Sequence, residues 1–286
     1  MNGIVIIDKP QDWTSQDVTA RLRRVFNTRR IGHGGTLDPM ATGVLPVFVG
    51  RATRGVEFFE HAEKTYETVL RLGLTTDTED TTGTVLTQSP VSVTREQAEK
   101  VLEGFRGEIL QVPPMYSALK VNGQKLCDLA RKGKEVERKP RPITIHELTL
   151  LSFTGETLCL RVRCSKGTYI RTLCKDIGQA LGCGGCMEAL RRVSAGEYTI
   201  DEAVPLQQLL EAENPEPYLR GVDTMFRNHP AVTLTANQEK RCRCGNQFSV
   251  KLADGTYRAY SQTGEFLMLA KVEEGVMSTI KSFFEV

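Results

Sequence analysis

The chain carries little net charge, few histidines and no long apolar run, and each of these shortages excludes or disfavours a class of protein. Its 286 residues sum to a formal net charge of +2, so the field of the whole molecule does not explain a polyanionic partner. No apolar stretch approaches the length that a bilayer span needs, and no signal peptide is visible at the start. We therefore expect a cytoplasmic protein that does not enter a membrane.

Only four histidines accompany the eight cysteines, which limits the metal sites that the sequence can offer. A C-x-x-C pair at residues 183–186 and a C-x-C pair at 242–244 could together be imagined as a four-thiolate zinc site. The two pairs lie in different predicted regions, and neither has a histidine nearby. We expect no metal, and we expect the cysteines to be reduced in the cytosol.

What the chain does have is an ordinary globular composition, 40% hydrophobic and 25% charged, with basic residues concentrated in two groups. The N-terminal basic group consists of Arg21, Arg23, Arg24, Arg29 and Arg30. The middle basic group consists of Arg131, Lys132, Lys134, Arg138, Lys139 and Arg141. Each pattern is compatible with a solvated face and with a nucleic-acid contact.

Strands and helices interleave without a regular βαβ rhythm, which predicts an α+β fold with a mostly antiparallel sheet. Capping-box patterns that begin at Thr14 and Thr94 predict two helix starts, and apolar spacing predicts a third helix from about Ile170 to Leu181. Strands are predicted at residues 3–7, 44–49, 64–72, 148–153 and 158–164. The last two form a predicted hairpin, in which Cys159 and Cys164 are expected to be small core residues.

The last part of the chain differs in pattern from the rest. Asn214-Pro215-Glu216-Pro217 predicts a linker, and residues 232–286 are predicted to contain short strands only. Hairpin turns are predicted at Asp254-Gly255, Thr263-Gly264 and Glu274-Gly275. Such a pattern is typical of a small β-barrel module that serves in binding.

One segment, residues 32–45 (G-H-G-G-T-L-D-P-M-A-T-G-V-L), holds a single carboxylate, Asp38, between a glycine-rich turn and Pro39. Gly32, Gly34 and Gly35 allow conformations or close approaches that a side chain forbids. The proline restricts Asp38 in turn. Taken alone, the pattern fits a turn aspartate that binds its own backbone as well as a rigidly held catalytic carboxylate.

The segment G-G-T-L-D-P-M-A-T-G-V-L (34–45) closely resembles the catalytic motif of the TruB-type pseudouridine synthases. Further blocks in the same order carry the resemblance along nearly the whole chain. They are D-K-P (8–10) with W-T-S (13–15), K-x-Y (64–66), L-G-x-x-T-D-T-x-D-x-x-G (72–83), P-P-M-Y-S-A-L-K-x-x-G (113–123), G-T-Y-I-R-T-L (167–173) and L-R-R (190–192).

The resemblance implies isomerisation of uridine to pseudouridine in the T loop of tRNA, conventionally at position 55. It implies a central mixed sheet with flanking helices, a monomer, and a reaction without cofactor or metal. Along the chain it implies a catalytic domain at 1–213 with a basic, RNA-gripping insertion at about 120–142. A linker at 214–229 and a PUA-like RNA-binding domain at 230–286 complete the expected organisation.

The resemblance also assigns the reacting groups. Asp38 is the carboxylate that assists cleavage of the N1–C1′ bond, either by attack on C1′ or by removal of a ribose proton on the way to a glycal. Arg171 matches the arginine that the family places beside that carboxylate, where a cation counters the effect of desolvation. The alternative for Arg171 is a surface charge at a helix start. Tyr66 stacks on the base and helps to remove the C5 proton; without the resemblance, it would be a core residue.

Five further residues are expected to bind the substrate. Asp80 would hydrogen-bond the uracil edge, Leu190 would pack on the base, and Tyr169 would orient the arginine. Lys64 belongs to the same motif as the tyrosine. His33 is expected to hold the flipped loop rather than to act as a general base.

Extrusion of the uridine needs contacts to the phosphates, for which both basic groups are candidates. The expected contacts are Arg21, Arg24, Arg29, Arg30, Arg131, Lys132, Lys134 and Arg141. Other readings stay open at this point. They are an RNA-folding chaperone, a nucleoside hydrolase that uses Asp38 and Asp80 as its carboxylate pair, and a guide-RNA-dependent relative.

Overall fold

The computed structural model describes residues 1–121 and 123–285, so the expected insertion and the expected C-terminal domain each include one residue outside it. The described residues form α-helices and strands in an irregular order. The helices are α1 (Ser15–Val25), α2 (Val56–Phe59), α3 (Arg95–Glu103), α4 (Leu126–Ala130), α5 (Ile170–Ala180), α6 (Leu206–Leu210) and α7 (Ala236–Arg243).

The strands are numbered along the chain in the same way. They are β1 (Gly3–Lys9), β2 (Ile31–His33), β3 (Thr42–Val49), β4 (Lys64–Leu72), β5 (Leu74–Thr76), β6 (Val85–Gln88), β7 (Gly107–Gln111), β8 (Lys120–Val121), β9 (Gln124–Lys125), β10 (Arg141–Phe153), β11 (Thr157–Cys164), β12 (Gly185–Ala195), β13 (Tyr198–Thr199), β14 (Val204–Pro205), β15 (Ala231–Thr233), β16 (Phe248–Ser249), β17 (Gly255–Tyr260), β18 (Phe266–Glu273) and β19 (Val276–Ser282).

Both predicted capping boxes are confirmed. The side chain of Thr14 accepts from the backbone of Asp17 while the Asp17 carboxylate accepts from the backbone of Thr14, and Thr94 and Gln97 form the same pair. These reciprocal bonds satisfy amides that a helix start otherwise leaves without partners. The third predicted helix is confirmed as α5, and the hairpin across residues 154–156 joins β10 to β11.

The described residues divide into two compact units by their contacts. Unit 1 consists of residues 1–39, 44–60 and 201–286, and unit 2 consists of residues 40–43 and 61–200. This division differs from the one expected along the sequence, 1–213, 214–229 and 230–286, which stays a prediction. The strand β3 passes from one unit to the other.

Unit 1 contains two groups of strands. In the first, β1 pairs in parallel with β14, and β2 pairs antiparallel with β3. In the second, five strands follow the order β15-β17-β18-β19-β16. Their core includes Leu267, Met268 and Val272, all fully buried. The residues expected as a linker bind within this unit, since Arg220 exchanges two backbone hydrogen bonds with Ile4.

Two predictions for the C-terminal strands are wrong. Residues 236–243 form helix α7, although a region of short strands only was predicted. The turn at Asp254-Gly255 does not close a hairpin, because β16 before it pairs with β19, and β17 after it pairs with β15 and β18. The turns at Thr263-Gly264 and Glu274-Gly275 do join paired strands.

Unit 2 is built on the strand order β12-β4-β11-β10-β7, with β13 paired to β12. All of these pairs are antiparallel, whereas Thr42 and Gly43 at the start of β3 run parallel to Arg191 and Arg192 of β12. Helix α5 contacts both β12 and β4. The expectation of an α+β fold with a mixed, mostly antiparallel sheet and flanking helices is therefore confirmed.

Candidate active site

The loop that carries Asp38 follows β2 in unit 1, and its glycines Gly34 and Gly35 each have a geometric reason to be glycine. A Cβ on Gly34 would lie 2.4 Å from a carbon of the Phe59 ring, and Gly35 has a φ of +91°. Both observations confirm the expectation from the sequence. Gly32 differs, because a Cβ there would meet its nearest atom, on Val56, at an ordinary 3.6 Å.

Buried polar groups hold the loop on both sides of Asp38. The Ser15 hydroxyl accepts a hydrogen bond from the Leu37 amide at 2.9 Å and donates to the Leu37 carbonyl at 3.2 Å. On the other side, the fully buried Lys9 donates to the carbonyls of Pro39, Pro10 and Trp13. The backbone around Asp38, a half-buried residue, is thus tied to β1 and to the start of α1.

His33 is the last residue of β2 and lies partly buried near α1. Its Nε2 atom is 3.3 Å from the side-chain nitrogen of Gln16. The contact places the imidazole beside the first turn of α1, in the helix that also carries Arg21 and Arg24.

In unit 2, β4 alternates strictly, so that Lys64, Tyr66 and Thr68 share its buried face. Lys64 donates to the carbonyl of Ala62 at 2.7 Å, and Tyr66 is 9% exposed. Leu190 of β12 lies directly opposite Thr68 in the antiparallel register and is 8% exposed. Lys64, Tyr66 and Leu190, three of the predicted substrate-binding or catalytic residues, therefore lie in one region of the sheet.

Arg171 is the second residue of α5 and is 6% exposed, so the alternative of a surface charge is wrong. Its guanidinium donates to the carbonyls of Tyr116 at 2.8 Å and Thr78 at 3.1 Å, and its Nε lies 3.9 Å from the Asp80 carboxylate. A buried guanidinium with several acceptors is held in one orientation. A guanidinium fixed in this way has the geometry expected of a cation that stabilises a carboxylate in an active site.

Asp80 lies in a turn that is bridged to Met187 of β12. One oxygen of its carboxylate accepts from the hydroxyls of Thr78 and Thr82 and from the Thr82 amide, at 2.6 to 3.0 Å. The other oxygen faces Arg171. Because the first oxygen already has three donors, the contact with a uracil edge that the family resemblance implies would use the second oxygen.

Tyr169 is the N-cap residue of α5, two positions before Arg171, and its backbone is held by Gln111, a residue to which the sequence motifs assign no role. The Gln111 side chain accepts from the Tyr169 amide at 2.8 Å and donates to the Tyr169 carbonyl at 3.1 Å. Gln111 is only 2% exposed. No pattern in the sequence marks Gln111, because its partner lies 58 residues further along the chain.

The expected RNA-contact residues of both basic groups are exposed. On and after α1 they are Arg21, Arg24, Arg29 and Arg30; in the insertion they are Arg131, Lys132, Lys134 and Arg141. In unit 2, a cleft of about 360 Å³ beside α4 is lined by Lys120, Lys125 and Lys132, with Asp128 as the acidic group. The cleft therefore carries more positive than negative charge.

All eight cysteines lie within the described residues, and none forms a disulfide. Cys164 is buried as expected, whereas Cys159 points to the opposite face of β11 and is only partly buried, so the core assignment of Cys159 is wrong. Burial raises the pKa of Cys186 and of Cys242 to about 11, which disfavours the thiolates that zinc needs. Among the described residues, no group of three or more His, Cys, Asp or Glu could hold a metal ion.

Among the helices of the described residues, none is both long enough and apolar enough to cross a bilayer.

Comparison with family models connects these motifs to one family. Residues 23–170 match the model described as TruB family pseudouridylate synthase (N terminal domain). The chain belongs to the TruB family of pseudouridylate synthases. Residues 171–223 match a second model, described as tRNA pseudouridylate synthase B C-terminal domain. The matches include Asp38, Tyr66 and Arg171, and the resemblance inferred from the sequence motifs is confirmed.

Curated relatives extend the TruB family match over the whole chain. The chain is 43% identical over 290 residues to tRNA pseudouridine synthase B of Francisella tularensis subsp. novicida (strain U112), covering 100% of this chain and 95% of the relative. It is 49% identical over 236 residues to the protein of the same name from Azoarcus sp. (strain BH72), covering 82% and 79%.

Solved structures show the same fold. The chain matches a protein in the crystal structure of a Cbf5-Nop10-Gar1 complex with a TM-score of 0.75 at 25% identity, covering 99% of this chain and 85% of that one. A second match, in an H/ACA RNP bound to a substrate RNA, has a TM-score of 0.74 at 23% identity. Since these matches cover 99% of this chain, the five-stranded sheet of β15 to β19 is consistent with a PUA-like C-terminal fold.

Proposed function

We propose that this chain isomerises uridine to pseudouridine at position 55, in the T loop of tRNA. The observation that carries the proposal is the family match, which spans every residue assigned to the reaction and continues at 43% identity over the full chain. The curated relatives with 43 to 49% identity are named tRNA pseudouridine synthase B, whereas the proteins of the H/ACA RNP and Cbf5-Nop10-Gar1 structures share the fold at 23 to 25% identity. This difference favours the stand-alone enzyme.

The reaction breaks the N1–C1′ bond, turns the uracil and joins C5 to C1′. We assign the first step to Asp38, which attacks C1′ or removes a ribose proton. Support comes from its loop, because Ser15 and Lys9 hold the backbone on both sides of the carboxylate. A carboxylate on a fixed backbone needs little reorganisation before it reacts.

Arg171 is the cation of the site in this proposal, and Tyr66 is the ring that stacks on the base. Burial, two carbonyl acceptors and the nearby Asp80 carboxylate restrict the guanidinium, and burial on β4 restricts the tyrosine. We assign substrate contacts to His33, Lys64, Asp80, Tyr169 and Leu190. No cofactor and no metal takes part.

The target uridine is stacked within folded tRNA, so it must be flipped out before Asp38 can act on it. Flipping costs a few kcal/mol, which stacking on Tyr66 and contacts with phosphates offset. We assign the phosphate contacts to the exposed Arg21, Arg24, Arg29, Arg30, Arg131, Lys132, Lys134 and Arg141. The protein would act as a cytoplasmic monomer and, by opening the T arm, would also assist tRNA folding.

The test is tritium release from an unmodified tRNA transcript labelled at C5 of its uridines, with the modified position mapped afterwards. We expect one equivalent of release from the T-loop uridine with the native protein, and no release with Asp38→Asn. The variant should still bind tRNA and refold it, because it keeps the side-chain volume and the basic groups.

Absence of release by the native protein, with tRNA binding intact, would reject the proposal and favour an RNA-folding chaperone. Net release of uracil would instead indicate a hydrolase.

A further inference from the structure

Glu79 lies between two residues that contact Arg171, yet no motif of the chain assigns it a role. It occupies the x of the T-D-T-x-D block and has a φ of +64°, a left-handed conformation that residues with a side chain adopt rarely. Its side chain is 11% exposed. A glutamate kept in this conformation must make contacts that offset the strain.

Those contacts reach helix α5. The Thr172 hydroxyl donates to one carboxylate oxygen of Glu79 at 2.6 Å, and the Lys175 ammonium donates to the other at 2.6 Å. The backbone of Glu79 is also held, because its carbonyl accepts from the Met187 amide of β12 at 3.0 Å. The carboxylate thus joins the turn at 76–81 to the first two turns of the helix.

The neighbours of Glu79 meet the same helix at Arg171. The Thr78 carbonyl accepts from the guanidinium at 3.1 Å, and the Asp80 carboxylate lies 3.9 Å from its Nε. Three consecutive residues therefore contact Arg171, Thr172 and Lys175. The contacts of Thr78 and Asp80 reach Arg171, a residue of the proposed active site. The contacts of Glu79, which lies between them, fix the distance between the turn and helix α5.

We propose that Glu79 is a positioning residue for the isomerisation, whose carboxylate, bound by Thr172 and Lys175, holds the turn so that Asp80 and Arg171 keep their relative geometry. This inference rests on the proposed function. The carboxylate acts through the turn and does not touch the substrate.

Glu79→Gly is the direct test, because glycine adopts the left-handed conformation without strain and removes the side chain together with its carboxylate. We expect the single-turnover rate at saturating enzyme to fall about tenfold, since small displacements of catalytic groups reduce rates strongly. The dissociation constant for tRNA should change less than about twofold, because no phosphate contact is lost. Glu79→Gln keeps one acceptor oxygen and should recover part of the rate.

Lys175→Met tests whether the carboxylate acts through its ion pair. It should also slow the reaction, and the double variant with Glu79→Gly should be no slower than Glu79→Gly alone. The matched control is Glu99→Gln in α3, which breaks an exposed ion pair with Arg95 at 2.9 Å and should leave the rate unchanged. Hydrogen exchange of the peptide 76–82 should become faster in Glu79→Gly and not in the control.

Faster exchange with an unchanged rate would overturn the proposal and leave Glu79 a structural role only. A rate that falls solely through weaker tRNA binding would overturn it as well. If the native protein releases no tritium, the proposed function fails and Glu79 cannot position groups for it. If the native protein is active and the Glu79→Gly variant is equally fast, the proposed function stands and only the role of Glu79 is rejected.

Discussion

At the scale of single residues, the loop before Asp38 depends on the absence of a side chain at Gly34. A Cβ there would lie 2.4 Å from the ring of Phe59, which is buried and packs edge-on against Phe48 with centroids 5.9 Å apart. Neither ring can move without disturbing the core. Gly34→Ala should therefore reduce the free energy of unfolding by about 1–3 kcal/mol in urea denaturation.

Gly32→Ala is the matched control for this prediction, because its Cβ would meet Val56 at an ordinary 3.6 Å. It should change the free energy of unfolding by less than Gly34→Ala does. Equal losses in the two variants would show that backbone freedom, and not the contact with Phe59, is what the glycines provide.

The sequence could predict the chemistry-bearing residues but not the contacts that hold them in place. Asp38, Tyr66 and Arg171 stand in ordered motifs, so the family resemblance identified them without a structure. Ser15 and Gln111 bind backbone groups 22 and 58 residues away. Such bonds leave no local pattern, because only the fold brings the partners together.

At the scale of elements, sequence patterns correctly predicted features that depend on neighbouring residues, such as helix starts and strand alternation. They failed where the pairing of strands distant in sequence determines the structure. The capping boxes of α1 and α3 and the alternation of β4 are local, and all three were confirmed. Helix α7 has the same capping box, Thr235 with Gln238, but its short and polar sequence has no apolar periodicity. The turn at Asp254-Gly255 was misassigned because the partner of β16 is β19, some 27 residues further along the chain.

Helix α5 should make the stability of the protein depend on pH through Asp176. Burial raises the pKa of Asp176, the neighbouring Lys175 lowers it, and Glu79 raises it, with a net upward shift. The folded state therefore binds this proton more tightly than the unfolded state does. The stabilisation is present at low pH and is lost as the pH rises through the pKa of the folded state.

Asp176→Asn removes this titration. Relative to the native protein, the urea midpoint of the variant should increase between about pH 4 and pH 7, and the difference should be modest because the carboxyl is about one-third exposed. Unfolding curves of both proteins at several pH values measure it. A difference that is constant with pH would show that Asp176 ionises equally in the folded and unfolded states.

At the scale of the whole molecule, the net charge is small, but basic residues are concentrated in local groups on the surface. The net charge is only +2, and yet the expected RNA contacts of both basic groups are exposed to solvent. Many cations are neutralised locally, as Arg161 is by Glu67 at 2.7 Å and Arg163 by Glu63 at 2.9 Å, and Arg131 of the middle basic group lies 3.6 Å from the Asp128 carboxylate. Local surfaces, and not the overall field, must therefore attract a polyanion.

The salt dependence of tRNA binding should report on the middle basic group. Each phosphate contact releases condensed counterions, so the slope of log K against log salt falls by about 0.7–0.9 for each contact that is lost. Replacing Arg131, Lys132 and Lys134 by Gln should weaken binding and flatten the slope by up to about 2–3 units.

The control for this experiment replaces Arg95 and Lys100 of α3, two exposed cations outside both basic groups, by Gln. If net charge alone attracts tRNA, both variants should lose the same slope per charge removed. If the middle basic group contacts phosphates, only the triple variant should flatten the slope, because counterions are released only where a side chain meets the backbone. An unchanged slope in the triple variant would remove these three residues from the RNA interface and leave Arg141 and the N-terminal basic group as the remaining candidates.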